Sequence, residues 1–248
     1  MKALIFAAGL GTRLKPLTDT MPKALVPICG QPLLYHVIEK LKAAGYTQLV
    51  VNVHHFPEQI RAFLASRDWG IPIAVSDESE QLLETGGGIL HARNLLLPTD
   101  GPFLVHNVDI ISNLDLRRVQ RLTRPDALAT LVVSERKTRR YLLFDDDMHL
   151  VGWTDKETGE VRSPYPDLDL TSCHPYAFSG IHNLSPRIFP HFEEWGFSGR
   201  FPIMDFYLKT CHKEPIQGIL AENLRLVDVG KFDRLEEARQ QCAAVLGR

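Results

Sequence analysis

Apolar and polar positions along the chain switch between two rhythms, and their alternation predicts an α/β protein. Residues 3–8 form an unbroken apolar run, as expected of a strand covered on both faces. Gln31-Pro32 opens a helix whose apolar positions Leu33, Leu34, Val37, Ile38 and Leu41 recur at helical spacing until Gly45. Residues 49–53 read as the next buried strand, Pro57 starts a helix with Ile60, Phe63 and Leu64 on one face, and residues 71–75 supply a third strand. A helical run over 89–97 leads into a strand over 103–109, then a short helix over 115–122 and a strand over 127–133. Strand and helix in turn imply parallel pairing with right-handed crossovers.

From Tyr141 the rhythm changes. Residues 141–144 and 150–153 flank Asp145-Asp146-Asp147 and predict an antiparallel hairpin. The three aspartates are consecutive, whereas a calcium loop alternates its ligands, so they read as a solvated turn. Residues 159–169 read as a loop able to cover a site. Strands are expected over 176–181 and 224–230, and helices from Ser185-Pro186 and over 201–208. A closing helix presents Leu235, Ala238, Cys242 and Val245 on one side. Without repeat or linker, residues 1–248 are expected to form one domain.

Composition narrows the function classes. The chain has 44% hydrophobic residues and a formal net charge of -2, which suits a core-forming protein and argues against a nucleic-acid partner. Its densest basic stretch, Arg136-Lys137-Thr138-Arg139-Arg140, reads as a solvated loop. No apolar run reaches the roughly 18 residues of a membrane span, so a cytoplasmic protein is expected. Cys29, Cys173, Cys211 and Cys242 are scattered, which suggests neither a disulfide framework nor a zinc ribbon.

Candidate chemistry begins at Gly9 and Gly11, directly after the first strand, where a backbone without Cβ atoms lets a ligand approach. Arg13, Lys15 and Lys23 follow, cations suited to a polyphosphate. A dinucleotide fingerprint is excluded because Leu14 stands where its third glycine belongs, and a P-loop because no Gly-Lys-Ser/Thr follows. Three further glycines, Gly86 to Gly88, precede the helical run at 89 and place a helix N-terminus where anions bind. Asp109 and Asp228 each end an apolar strand, the edge where ligands collect in open α/β sheets.

Ala7-Ala8-Gly9-Leu10-Gly11-Thr12-Arg13 with Pro22-Lys23 resembles the signature of the sugar-1-phosphate nucleotidyltransferases. The resemblance implies a Rossmann-like three-layer α/β/α fold, its sheet mixed but mostly parallel, with a small antiparallel hairpin insertion. It implies attack by a sugar 1-phosphate on the α-phosphorus of a nucleoside triphosphate, giving an NDP-sugar and pyrophosphate. Asp109 and Asp228 resemble the family's Mg²⁺ ligands, the second recognisable from Asp228-Val229-Gly230. Arg13 would hold the departing pyrophosphate and Lys23 neutralise the α-phosphate region. Ala7, Ala8, Gly9, Gly11 and Thr12 would contact the nucleotide, Glu84, Thr85 and Gly86 the rim of the base, and Asn107 and Gly180 the sugar. Glu84-Thr85-Gly86-Gly87-Gly88 and Phe178-Ser179-Gly180-Ile181 look most like the members of cell-wall recycling that use UTP and N-acetylmuramate 1-phosphate. Mannose 1-phosphate with GTP, glucose 1-phosphate with ATP or dTTP, and a non-catalytic sensor remain open, as does a monomer or homodimer. Val108 replaces the family's glycine before Asp109, Ala24 its second proline after Lys23, and no lysine lies between Lys156 and Lys209.

Overall fold

In the computed structural model, which describes residues 1–230 and 232–240, the first apolar run becomes β1 (Lys2–Phe6). Beyond the glycine loop, β2 (Pro27–Ile28) and β3 (Gln31–Pro32) pair antiparallel and hand the chain to α1 (Leu33–Ala43). Gln31 and Pro32 therefore precede the helix instead of opening it, because Gln31 is held opposite Ile28. Next come β4 (Gln48–Val53), α2 (Pro57–Ala65), β5 (Ile73–Asp77), α3 (Glu84–His91), α4 (Arg93–Leu96) and β6 (Phe103–Asn107). β1 runs parallel to β4 and β6, and β4 to β5, so Leu4 lies between Val50 and Val105.

The second half turns antiparallel. β7 (Ile110–Ser112), α5 (Leu116–Leu122) and β8 (Ala129–Ser134) lead to the hairpin β9 (Arg140–Phe144) and β10 (Leu150–Asp155), edged by β11 (Val161–Arg162). The long β12 (His174–Leu184) is antiparallel to β6, β8 and β9, and so ties the two halves into one sheet. α6 (Ile188–Glu194), α7 (Ile203–Thr210), β13 (Ile216–Leu220), β14 (Leu226–Asp228) and α8 (Phe232–Gln240) complete the described chain. β14 pairs with β7 outside the main sheet.

Successive residues of β1 face opposite helical layers, as strand geometry requires. Ala3 and Ile5 join Val37 of α1, Ile60 of α2 and Leu235 of α8 in one buried cluster. Leu4 joins Ile89 of α3, Phe189 of α6 and Phe206 of α7 in the other. Each such side chain contributes about 1.5–3 kcal/mol by leaving water. The three layers, the parallel centre and the hairpin follow the sequence reading.

Several boundaries do not. β13 was not expected, since Gly218 interrupts its pattern; a Cβ there would meet the Phe144 ring at 2.7 Å. Residues 159–169 do not cover the cleft: Val161–Arg162 pairs with β10, the Ser163 hydroxyl donates to the Val151 carbonyl at 2.6 Å, and Arg162 pairs with Asp205 at 2.7 Å. α7 starts at Ile203 rather than at Phe201. Cys29 is disulfide-bonded, against the expectation from cysteine spacing, while Cys173 and Cys211 are free thiols. The expected docking of Cys242 and Val245 lies outside the described residues.

Under the sheet, His182 is buried and shares a 2.6 Å hydrogen bond between Nδ1 and the Tyr207 hydroxyl. Burial pushes its proton affinity down, to a pKa of about 3. The unfolded chain therefore binds more protons than the folded one between about pH 3 and 6.5, and stability must fall as pH drops through that window. Acidification from pH 6.5 to 5 is expected to cost about 2 kcal/mol through this residue, at about 1.4 kcal/mol per pH unit. Urea unfolding at both pH values checks it, and His182→Gln should show a shallower pH slope than the parent.

Candidate active site

Where β1 ends, the backbone amides of Ala7 and Ala8 both donate to Asn52 Oδ1, at 2.7 and 3.2 Å. The Asn52 amide in turn donates to Glu78 Oε1 at 2.8 Å, and Glu78 Oε2 accepts from the Leu83 amide at 3.3 Å. Burial raises the Glu78 carboxyl's proton affinity. A polar chain across β4 and the segment after β5 thus fixes the loop that follows β1. Gly11 then takes φ +65°, and a Cβ there would stand 2.8 Å from the Thr18 side chain and 3.2 Å from that of Lys23. Only glycine meets both demands. The short 3₁₀ turn Thr12–Leu14 leaves Arg13 exposed, while Lys23 is buried with its ammonium on Asp109 Oδ2.

Asp109 and Asp228 meet although distant in sequence. The Val229 amide donates to the Asp109 carbonyl at 2.9 Å, and Asp228 lies opposite Ile110 in the β14–β7 pair. Gly230 is required beside them, since a Cβ would stand 2.8 Å from both Arg13 Nη2 and Asp228 Oδ1. Asp228 Oδ1 is buried without a hydrogen-bond partner among the described residues. Burial, and then the charge of Asp109, raise its proton affinity, opposed by Lys23 and Arg13. An orphaned carboxylate oxygen facing a second carboxylate fits a hard divalent cation, which takes oxygen ligands and completes its shell with phosphate and water. Val108 is buried in the core, so its branched side chain stands in the cleft wall.

The far rim is built differently from the sequence expectation. α3 starts at Glu84, so Gly86 to Gly88 lie inside the helix rather than before it. The amides of Gly86 and Gly87 donate to the Phe201 carbonyl at 2.9 and 3.1 Å, leaving neither for an anion. A Cβ on Gly86 would sit 2.2 Å from the Phe201 ring, and one on Gly87 2.2 Å from the Gly199 carbonyl. These glycines admit the 199–203 segment against the helix. Thr85 Oγ1 accepts from the Ile203 amide at 2.9 Å, and Glu84 pairs with Arg200 at 2.7 Å.

The resulting cleft, about 530 Å³, gathers the loop residues Ala7 to Arg13, Lys23, Glu84, Thr85, Asn107 and Asp109. Asp228 and Gly86 do not line it, although Gly230, which does, lies against Asp228. Gly180, at φ +73°, lies against Asn107: a Cβ would meet Asn107 Nδ2 at 2.7 Å. Sequence reasoning missed Asn52 and Glu78, and quoted Gly230 only as part of the Asp228-Val229-Gly230 segment. The signal for Asn52 was present, a lone amide inside the apolar run of β4.

Asn52→Leu removes the acceptor for two buried amides and the donor to Glu78. It is expected to cost about 2–4 kcal/mol of stability, since each stranded buried polar group costs about 1–3 kcal/mol. It should also weaken nucleotide binding. Urea midpoints and calorimetric titration with a nonhydrolysable nucleotide would measure both; an unchanged midpoint would refute the anchoring role.

A glycine loop, two cations and two strand-end carboxylates on a doubly covered α/β sheet define an enzyme that handles nucleotide phosphates. The nucleotidyl transferase family profile matches residues 2–142, and the chain belongs to that family. It is 48% identical, over 90% of its length and 89% of the relative's, to an N-acetylmuramate alpha-1-phosphate uridylyltransferase of Caulobacter vibrioides. A mannose-1-phosphate guanyltransferase of Hypocrea jecorina is 43% identical over 48% of this chain and 33% of its own. Among solved structures, HddC from Yersinia pseudotuberculosis superposes with a TM-score of 0.78 at 22% identity, covering 97% of this chain and 99% of that one, a likeness of fold. The protein is thus a sugar-1-phosphate nucleotidyltransferase by family, as its first loop suggested. Among the described residues no helix is long and apolar enough to cross a membrane.

Proposed function

We propose that the protein joins UTP to N-acetylmuramate 1-phosphate, releasing pyrophosphate and forming the UDP-sugar. The observation that carries this is that Arg13, Lys23 and Asp109 line one cleft, with Asp228 brought beside them by the β14–β7 pair and Gly230. The substrate pair is supported by the 48% identity to the Caulobacter vibrioides relative along nearly the whole of both chains. Residues 1–248 act as one domain in this reading, with nucleotide on the N-terminal half and sugar phosphate on the other. Its setting would be the cytoplasm and its role the recycling of cell-wall sugar.

A phosphate oxygen of the sugar ester attacks the α-phosphorus, and the bond to the β-phosphate oxygen breaks. The nucleophile is already anionic, so no protein base is needed and the task is to align two anions and hold departing charge. Gly9 and Gly11 leave room for phosphate to approach the loop. Lys23, paired with Asp109, would place a cation at the α-phosphate. Arg13, beside Gly230, extends its guanidinium over the departing pyrophosphate. Asp109 and Asp228 would hold a Mg²⁺ ion, which supplies further charge neutralisation to phosphate oxygens when bound. Asn107 and Gly180 would face the sugar.

Pyrophosphate release, coupled to a pyrophosphatase, tests the reading. UTP, GTP, ATP, CTP and dTTP would each be combined with the 1-phosphates of N-acetylmuramate, N-acetylglucosamine, glucose and mannose. The dominant rate is expected for UTP with the muramate ester; a dominant rate elsewhere in the grid would discard this substrate pair.

A further inference from the structure

The densest basic stretch, residues 136–140, connects β8 to β9. Arg139 is neutralised within the protein, its guanidinium 2.7 Å from Asp155 Oδ2 and 2.8 Å from Glu157 Oε2. Arg136 and Arg140 wall a separate hollow of about 210 Å³ together with Trp153, Phe178 and Met204. Arg136 Nη2 donates to the Phe178 carbonyl at 3.0 Å. Arg140 lies 5.9 Å from the centre of the Trp153 ring, and 3.5 Å from the Asp155 oxygen that Arg139 already holds.

This hollow and the catalytic cleft have no lining residue in common, but neighbouring residues of the same elements serve both. β12 contributes Phe178 to the hollow and, two residues on, Gly180 against Asn107 of the cleft. The start of α7 contributes Met204 to the hollow, and Pro202 just before it lines the cleft. Small-molecule pockets run from roughly 300 Å³ upward, so the hollow suits a substituent rather than a whole sugar.

We propose that the hollow walled by Arg136, Arg140, Trp153 and Phe178 is a subsite for a carboxylate carried on the ring of the sugar 1-phosphate. The inference rests on the sugar-transfer reading above and adds a reason for its substrate. N-acetylmuramate is N-acetylglucosamine with an ether-linked lactic acid, hence one carboxylate more. A guanidinium fork matches a carboxylate in plane and charge. The Trp153 and Phe178 rings offer the lactyl methyl an apolar face. Neutral sugars have nothing to place there.

The test is the ratio of kcat/KM for N-acetylmuramate 1-phosphate over N-acetylglucosamine 1-phosphate, with UTP, in the parent, Arg136→Gln and Arg140→Gln. A lost charge-assisted contact should lower that ratio about 10- to 100-fold, through the KM of the acidic ester. Damage to the fold lowers both rates and leaves the ratio alone, so an unchanged ratio in both variants overturns the subsite. Arg140, with 66% of its side chain exposed, is the variant least able to disturb folding. If the parent turns over neither ester, the sugar-transfer reading fails, and calorimetry with free N-acetylmuramate and N-acetylglucosamine decides the subsite separately. Preference for the acid, lost in Arg140→Gln, supports it; equal binding of the two sugars overturns it.

Discussion

Asp228→Asn is expected to lower turnover about 10²–10³-fold while leaving the protein as stable as before or slightly more so. In the proposed reaction the loss would follow from removing one of two carboxylates that would hold charge at the phosphates, a contribution of several kcal/mol at about 1.4 kcal/mol per tenfold. The stability follows from the site itself. Asp228 Oδ1 is buried without a hydrogen-bond partner among the described residues, and burial together with Asp109 disfavours its ionised form in the folded protein. Replacing the charge with an amide of the same shape relieves that penalty. A gain of about 1 kcal/mol would raise the melting temperature by about 2–4 °C in a domain of this size. Thermal scans in EDTA, beside pyrophosphate release in Mg²⁺, give both numbers. Near-normal turnover would remove Asp228 from the site, and a melting temperature lowered by several degrees would show that its carboxylate supports the fold.

The glycine loop and the two strand-end aspartates were legible because each depends on local chemistry. Gly11 needs a positive φ and a close neighbour, and Asp109 follows a run of apolar residues. What escaped the sequence was created by packing. Gly86 and Gly87 read as an anion-binding helix start, but they are small because Phe201 and Gly199 press on them. That pressure comes from a segment more than a hundred residues away, which no local pattern encodes. Asn52 was visible as a polar residue in an apolar strand, yet its partners, Ala7, Ala8 and Glu78, come from two other elements. β13 was hidden by Gly218, whose missing side chain makes room for Phe144. Parallel strands with long apolar runs announce themselves; irregular edges and shared polar anchors require the tertiary structure.

The site holds two carboxylates and two cations in one wall, and their balance explains why the fold tolerates it. Lys23 sits on Asp109, Gly230 lets Arg13 and Asp228 come close, and the only buried oxygen of this group without a partner among the described residues is Asp228 Oδ1. Incoming phosphates would therefore find cations already placed, with little rearrangement to make. Preorganised charge of this kind is worth more than the same groups free in water.

Lys23→Met tests that balance from the other side, and its thermal effect should have the opposite sign to that of Asp228→Asn. The Lys23 and Asp109 side chains are 10% and 21% exposed, so removing the ammonium strands a largely desolvated carboxylate beside a second one. Breaking a fully buried pair costs about 3–5 kcal/mol, and partial exposure here reduces the expected loss to about 2 kcal/mol, or about 4–8 °C. Turnover should fall about 10²–10³-fold if, as proposed, Lys23 supplies the cation at the α-phosphate. The double variant Lys23→Met with Asp109→Asn separates the two effects. With both charges gone, no carboxylate is stranded at this position, so stability should return to within about 1 kcal/mol of the parent while activity stays lost. Urea unfolding of the four proteins completes the cycle. Additive losses would mean that Lys23 and Asp109 act independently, whereas recovery of the fold without recovery of turnover would assign their pairing to stability and their separate charges to the reaction.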